Sequence, residues 1–113
     1  MVVNRRWGYY KILAEKQGYI VKELTLLPEK SISLQYHNYR DEHWIILSGN
    51  GLVRIRDELF KAIPDSNFVI RRGEKHKIAN TGKENLTLIE IQIGKILSED
   101  DIIRFEKINE TGL

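Results

Sequence analysis

The chain has 113 residues, of which 42% are hydrophobic and 30% charged, and a formal net charge of +2. This composition predicts one globular domain over residues 1–113 and excludes an intrinsically disordered protein. No apolar run is long enough to cross a bilayer, and the scattered basic residues do not predict nucleic-acid binding. The absence of cysteine excludes disulfides, thiolate metal ligands and cysteine nucleophiles. We therefore expect a cytoplasmic protein without a membrane or nucleic-acid partner.

Short segments with a hydrophobic period of two follow one another along the chain and predict β-strands. They are rich in β-branched residues and lie at 22–30, 31–37, 43–49, 51–58, 67–73 and 85–94, with a further strand beginning at His76. Asn50-Gly51 is typical of a two-residue hairpin turn, and other turns are predicted at 63–67, at Gly73 and at 79–85. Because no helix separates these strands, the pattern indicates an antiparallel sandwich or barrel.

One short helix is predicted near the C-terminus, over residues 98–108. Ser98 can cap its first turn, and Asp101 three residues later completes a capping-box pattern. The apolar residues of this segment would then pack against the strands.

Four polar side chains occur close to predicted strand ends, and their types suit a metal ion: Gln35, His37, Glu42 and His76. Strand alternation places Gln35 and His37 on the same face, and a turn can return Glu42 to their side. His43 alternates away from Glu42 and is expected to be structural. One amide oxygen, two imidazoles and one carboxylate suit Zn²⁺ or another divalent first-row metal. For any one histidine alone, a polar residue at a strand end is the simpler interpretation.

The spacing of these residues resembles the two cupin motifs. Residues 35–49 follow the first motif, with Gln35 in place of the usual first histidine, as in phosphomannose isomerases. Residues 71–80 follow the second motif, with Arg71 in place of the usual proline. Further segments resemble the cupin domain of type II mannose-6-phosphate isomerases: 5–10, 33–44, 88–94 and 99–105.

The resemblance extends over about residues 5–106 and implies a single-domain, all-β cupin, a jelly-roll barrel with a short C-terminal helix. It implies a metal-dependent isomerase that interconverts mannose 6-phosphate and fructose 6-phosphate through a cis-enediol. Gln35, His37, Glu42 and His76 would hold the ion, which we expect to be Zn²⁺, with Co²⁺, Mn²⁺, Ni²⁺ and Fe²⁺ as alternatives. The nucleotidyltransferase half of many type II enzymes is not recognisable, so no nucleotide site is expected.

Other residues receive provisional roles. Arg104 is a candidate for binding the phosphate or the enediolate charge, and the alternative is a helix-surface residue paired with a nearby aspartate. Glu90 is a candidate base if it faces inward with Gln92. Alternatively, the opposite face of the strand, Ile89, Ile91 and Ile93, packs between the two sheets. Lys75 and Arg40 are candidates for binding the substrate phosphate, although a solvent-facing turn residue is the alternative for Arg40.

We expect a small-molecule hexose phosphate as the ligand and a homodimer, because exposed edge strands need covering. Two other functions stay open. One is a non-catalytic cupin that binds a metal and a sugar phosphate. The other is a different cupin enzyme, such as an iron-dependent oxygenase, although the neutral amide of Gln35 weighs against it.

Overall fold

Eleven β-strands form two antiparallel sheets in the computed structural model, which describes residues 1–105. The strands are β1 Val2–Arg5, β2 Gly8–Lys16, β3 Tyr19–Leu26, β4 Ser31–Tyr36, β5 Asp41–Ser48, β6 Gly51–Ile55, β7 Glu58–Ala62, β8 Asn67–Ile70, β9 His76–Asn80, β10 Leu86–Ile93 and β11 Ile103–Arg104. One sheet has the order β1-β2-β3-β10-β5-β8, and the other has the order β11-β4-β9-β6-β7. The predicted all-β fold is confirmed.

Strands β1, β2, β7 and β11 are absent from the sequence prediction. In β7 four of the five residues are exposed, and β2 is exposed or half-buried beyond Tyr10. A strand that buries neither face carries no hydrophobic period of two, so its sequence gives no signal. By contrast, β5, β6 and β10 alternate strictly between buried and half-buried residues over most of their length, and these strands were predicted.

Strand β10 divides the interior into an apolar end and a polar end. At its start, Leu88 pairs with Leu24 of β3 and Ile46 of β5, and all three side chains belong to the hydrophobic core. Two residues further along the same face the inward side chains become Glu90 and Gln92, both also buried. The hydrophobic core therefore stabilises one end of the sandwich, and polar groups fill the other.

The prediction of a two-residue hairpin at Asn50-Gly51 is wrong. Strand β5 pairs with β10 and β8, whereas β6 pairs with β7 and β9, so the chain passes from one sheet to the other here. Gly49 makes this possible, because its φ is +92° and a Cβ there would lie 2.5 Å from the carbonyl oxygen of Asn85. The turns predicted at 63–67, Gly73 and 79–85 are confirmed.

The predicted C-terminal helix is also wrong over the described residues. After one turn at 99–100 the chain extends as β11, which pairs with β4 through Ile103 and Arg104. The carboxylate of Asp101 accepts hydrogen bonds from the backbone of residues 38 and 39 at 2.8 and 2.9 Å, so it caps a distant loop. These tertiary contacts replace the local capping box. Residues 106–108 of the predicted helix lie outside the described chain, and no helix within residues 1–105 could cross a membrane.

Asn80, the last residue of the second cupin motif, links the end of β9 to neighbouring segments by hydrogen bonds. Its Nδ2 donates to the carbonyls of Leu26 and Glu84 at 2.9 and 2.8 Å, and its Oδ1 accepts from the backbone N–H of Gly82 at 2.9 Å. The side chain is buried. Its three hydrogen bonds therefore join β9, the end of β3 and the turn before β10.

We predict that Asn80→Ala destabilises the protein by about 2–3 kcal/mol, because it leaves buried backbone groups without partners. Asn67→Ala is the matched control, since the exposed amide of Asn67 makes one hydrogen bond, and its effect should stay within about 0.5 kcal/mol. Urea denaturation of both variants measures the difference. Equal midpoints would contradict the structural role of Asn80.

Candidate metal centre

Two histidines and one glutamate meet between the sheets at the polar end. His37 follows β4 and His76 begins β9 in one sheet, while Glu42 lies on β5 of the other sheet. All three side chains are at most 3% exposed. Nε2 of His37 lies 3.1 Å from Nε2 of His76 and 3.0 Å from a carboxylate oxygen of Glu42. The predicted convergence of these three residues is thus present in the structure.

Backbone carbonyls orient both imidazole rings. Nδ1 of His37 is 2.8 Å from the carbonyl oxygen of Asp101, and Nδ1 of His76 is 2.9 Å from that of Glu74. A carbonyl only accepts hydrogen bonds, so in each neutral ring the proton resides on Nδ1. Both Nε2 atoms then direct lone pairs into the space that the Glu42 carboxylate also faces. This donor set fits a divalent cation of the zinc type.

The charge states of the cluster also suit a metal ion. Burial lowers the pKa of His76, against the opposing charge of Glu42, and so favours the neutral ring. Burial alone would raise the pKa of Glu42. When the rings are protonated, a hydrogen bond from His37 and the charge of His76 act together with the charge of Arg40 to lower this pKa overall. A neutral imidazole and an ionised carboxylate are the forms that bind metals.

Arg40 lies inside the site, so its interpretation as a solvent-facing turn residue is wrong. Its side chain is 3% exposed. Nε donates to Glu42 at 2.8 Å, Nη2 lies 3.3 Å from Nε2 of His37, and Nη1 donates to the carbonyl of Ser98 at 3.3 Å. Trp44 donates to the other oxygen of Glu42 at 3.0 Å. The carboxylate is therefore fixed from two sides.

Gln35, the fourth predicted ligand, lies beside the cluster. It is buried and pairs with His76 across β4 and β9, next to an irregularity in β4. Its amide nitrogen donates to the carbonyl of Ser33 at 3.1 Å. Among the histidine, aspartate and glutamate side chains of the described residues, those of His37, Glu42 and His76 have ligand atoms within 4.8 Å of one another. Coordination by Gln35 stays a prediction.

Glu90 and Gln92 face the interior, as the candidate base requires. The isoleucines of β10 lie on the outer face, where they are half-buried or exposed. The alternative prediction that they pack between the two sheets is therefore wrong. Gln92 donates to Oε1 of Glu90 at 2.8 Å. Burial and the charge of Glu42 raise the pKa of Glu90 to about 8, against the opposing charge of Lys22.

Lys22 is a site residue that the sequence analysis missed. It is 6% exposed, pairs with Glu90 across β3 and β10, and its Nζ lies 3.3 Å from a carboxylate oxygen of Glu99. The sequence does contain a signal for Lys22, because Lys22, Leu24 and Leu26 lie on the same face of a predicted strand. A single charged residue on an apolar face indicates a buried partner.

Arg104 and Lys75 lie outside the cluster. Arg104 is exposed on β11, where it pairs with Gln35, and its interpretation as a helix-surface residue is wrong because that segment is a strand. Within residues 1–105 its guanidinium makes no hydrogen bond or ion pair. Lys75 is exposed and its Nζ lies 4.4 Å from the ring centre of Phe105. Phosphate binding by either residue stays a prediction.

The chain is similar in sequence to known proteins over most of its length. The family model "Mannose-6-phosphate isomerase C-terminal" matches residues 1–107. The xanthan biosynthesis protein XanB of Xanthomonas campestris pv. campestris is 42% identical over 104 residues, 92% of this chain and 22% of that protein. The alginate biosynthesis protein AlgA of Pseudomonas putida is 39% identical over 106 residues, 94% of this chain and 22% of that protein. The chain thus spans about one fifth of the length of these relatives.

Solved structures show the same fold at low sequence identity. The cupin domain of Schizosaccharomyces pombe Cnp3 has a TM-score of 0.73 and 18% identity, and the match covers 76% of this chain and 64% of that one. A variant of the oxalate decarboxylase of Bacillus subtilis has a TM-score of 0.81 and 16% identity, with 93% and 30% covered. The chain therefore has the cupin fold and belongs to the mannose-6-phosphate isomerase C-terminal family.

Proposed function

We propose that the chain is a metal-dependent sugar-phosphate isomerase that interconverts mannose 6-phosphate and fructose 6-phosphate. The observation that carries this proposal is the buried cluster of His37, Glu42 and His76, whose rings are held with both Nε2 atoms toward one point. A purely structural interior would not need two facing lone pairs beside a carboxylate. The family match supports this substrate class.

His37, Glu42 and His76 would hold the ion, with Gln35 as the proposed fourth ligand and Zn²⁺ as the expected metal. When bound, the ion would supply a Lewis acid that stabilises negative charge on the substrate oxygens. The chain's contribution is orientation, because the carbonyls of Asp101 and Glu74 fix the rings before any ion binds.

Glu90 is the residue that we assign to moving the proton between C1 and C2 of the sugar. It faces inward at the polar end, one strand away from Glu42. Gln92 holds one carboxyl oxygen of Glu90, so in the ionised form the other oxygen can take up the substrate proton and return it. Arg40 donates into the same space, where its guanidinium would stabilise charge on the enediol oxygens. Lys22 pairs with Glu90 across β3 and β10, and its positive charge opposes the rise in the pKa of Glu90.

Removing one ligand should remove the metal. We predict that His37→Ala loses most of its bound divalent metal and melts at a lower temperature than the metal-loaded wild type, since a bound ion stabilises the native state. His43→Ala is the matched control for metal content, because His43 lies on the outward-facing side of the same strand as Glu42. Elemental analysis and thermal melts test both variants. Unchanged metal content in His37→Ala would exclude it as a ligand.

Replacing the proposed base should remove turnover but leave the metal in place. We predict that Glu90→Gln lowers turnover of mannose 6-phosphate by roughly 100- to 10,000-fold in a coupled assay. Glu23→Gln, on the outward side of β3, should retain wild-type activity. A metal-loaded wild type that converts no hexose phosphate would indicate a non-catalytic cupin. Oxygen uptake by an iron-loaded sample would indicate an oxygenase.

We also propose that two copies of the chain pair through the outer face of the six-stranded sheet. Five aliphatic side chains are half-buried or exposed on this face, on adjacent strands: Ile45, Val69, Ile89, Ile91 and Ile93. An apolar face of this kind favours a protein contact. The edge strands considered in the sequence analysis are the second candidate surface.

Light scattering after size-exclusion chromatography should give the mass of a dimer for the wild type and of a monomer for Ile91→Glu. Leu59→Glu is the control, because Leu59 is 57% exposed on the other sheet, and it should remain dimeric. A dimeric Ile91→Glu variant would favour the edge strands, and a monomeric wild type would contradict the proposal.

A further inference from the structure

A groove of about 640 Å³ lies between the β1–β2 turn and the edge formed by β4 and β11. Its lining contains five cationic side chains and a single carboxylate, that of Glu29. The cations come from distant parts of the chain: Arg5, Arg6, Lys30, Lys77 and Arg104. The fold therefore creates a basic groove that the sequence order does not show.

Two of the five cations of the basic groove have no partner within residues 1–105. Arg5 lies 3.9 Å from Glu99, and Lys77 is 5% exposed. Lys30 and Arg104 are exposed, and their side chains make no hydrogen bond or ion pair within residues 1–105. Like charges brought together repel one another, so an anionic ligand would lower the energy of this arrangement.

The remaining lining residues suit an oxyanion. Ser31 and Ser33 offer hydroxyl groups, and Gln35 offers an amide. Guanidinium and ammonium groups beside such donors match a ligand with several acceptor oxygens and two negative charges. A phosphate monoester has these properties.

Gln35 lines the basic groove and also lies on the strand next to His76 of the metal centre. Arg104 of β11 pairs with Gln35 of β4, and Gln35 pairs with His76 of β9. Adjacent strands are about 4.8 Å apart, so the backbones at Arg104 and His76 are about 10 Å apart. In a hexose 6-phosphate, the phosphate and the C1–C2 bond lie at opposite ends of a six-carbon chain. The distance between them is of the same order as the distance between these backbones.

We propose that the basic groove binds the phosphate monoester of a phosphorylated sugar, with Arg104 and Lys30 as its accessible cations. The sugar then extends past Gln35 toward His76. The identity of the sugar rests on the proposed isomerase function, whereas the anion site itself does not. This assignment removes Lys75 from the phosphate site, because its ammonium group lies over Phe105.

Calorimetric titration of the full chain with mannose 6-phosphate, inorganic phosphate and mannose tests the proposal. We expect mannose 6-phosphate to bind at least tenfold more tightly than mannose, and inorganic phosphate to compete with it. Arg104→Gln and Lys30→Gln should each weaken mannose 6-phosphate binding by roughly 10- to 100-fold, the loss expected for one charged hydrogen bond. Lys61→Gln, an exposed lysine on β7 outside the groove, should change nothing.

The outcomes separate this proposal from the isomerase proposal. His76→Ala disrupts the metal centre but should bind inorganic phosphate within about twofold of the wild type. If the wild type shows no turnover and Arg104→Gln still weakens phosphate binding, the isomerase proposal fails and the basic groove stands. Mannose 6-phosphate affinity that is unchanged in both Arg104→Gln and Lys30→Gln, or no greater than that of mannose, would overturn the basic groove as the phosphate site.

Discussion

The hydrogen bonds from the Nδ1 atoms of two histidines to backbone carbonyls determine what the polar end of this protein can do. They turn the Nε2 atoms of His37 and His76 toward each other, 3.1 Å apart, beside a buried carboxylate. One of the two carbonyls belongs to Asp101, whose carboxylate also caps the loop that follows His37. The C-terminal segment therefore completes the site because it extends as a strand, whereas a helix would direct these groups to its own first turn.

The division of the interior along β10 explains how such a site is tolerated. Leucines at the start of β10 pack into the hydrophobic core, while Glu90 and Gln92 occupy the same face two and four residues beyond Leu88. Burying polar groups costs free energy unless each is hydrogen-bonded. Within residues 1–105 no buried side-chain nitrogen or oxygen lacks a partner. The apolar end can thus stabilise the fold while the polar end keeps the groups that the proposed reaction needs.

Sequence reasoning predicted the fold and the cluster where the signals were periodic or set by motif spacing. Strand alternation placed Glu42 inward and His43 outward, and motif spacing brought His76 to the same point. It failed where a local signal competed with tertiary contacts, as at Asn50-Gly51 and at the segment beginning with Ser98. The interpretation of Arg40 as a solvent-facing residue was wrong because strand periodicity does not apply to a turn. Nothing in the sequence therefore shows that its guanidinium points inward.

The charge of the basic groove gives a physical reason for an amide at position 35. Gln35 lies between the cations of the groove and the cluster around His76. A carboxylate there would pair with Arg104 and compete with a phosphate for its hydrogen bonds. An imidazole would add a group that can become positive near neutral pH. An amide offers a neutral oxygen to the ion and leaves the positive charge of the groove to the ligand. Under the two proposals, this one neutral residue lets an anion site and a cation site lie on adjacent strands.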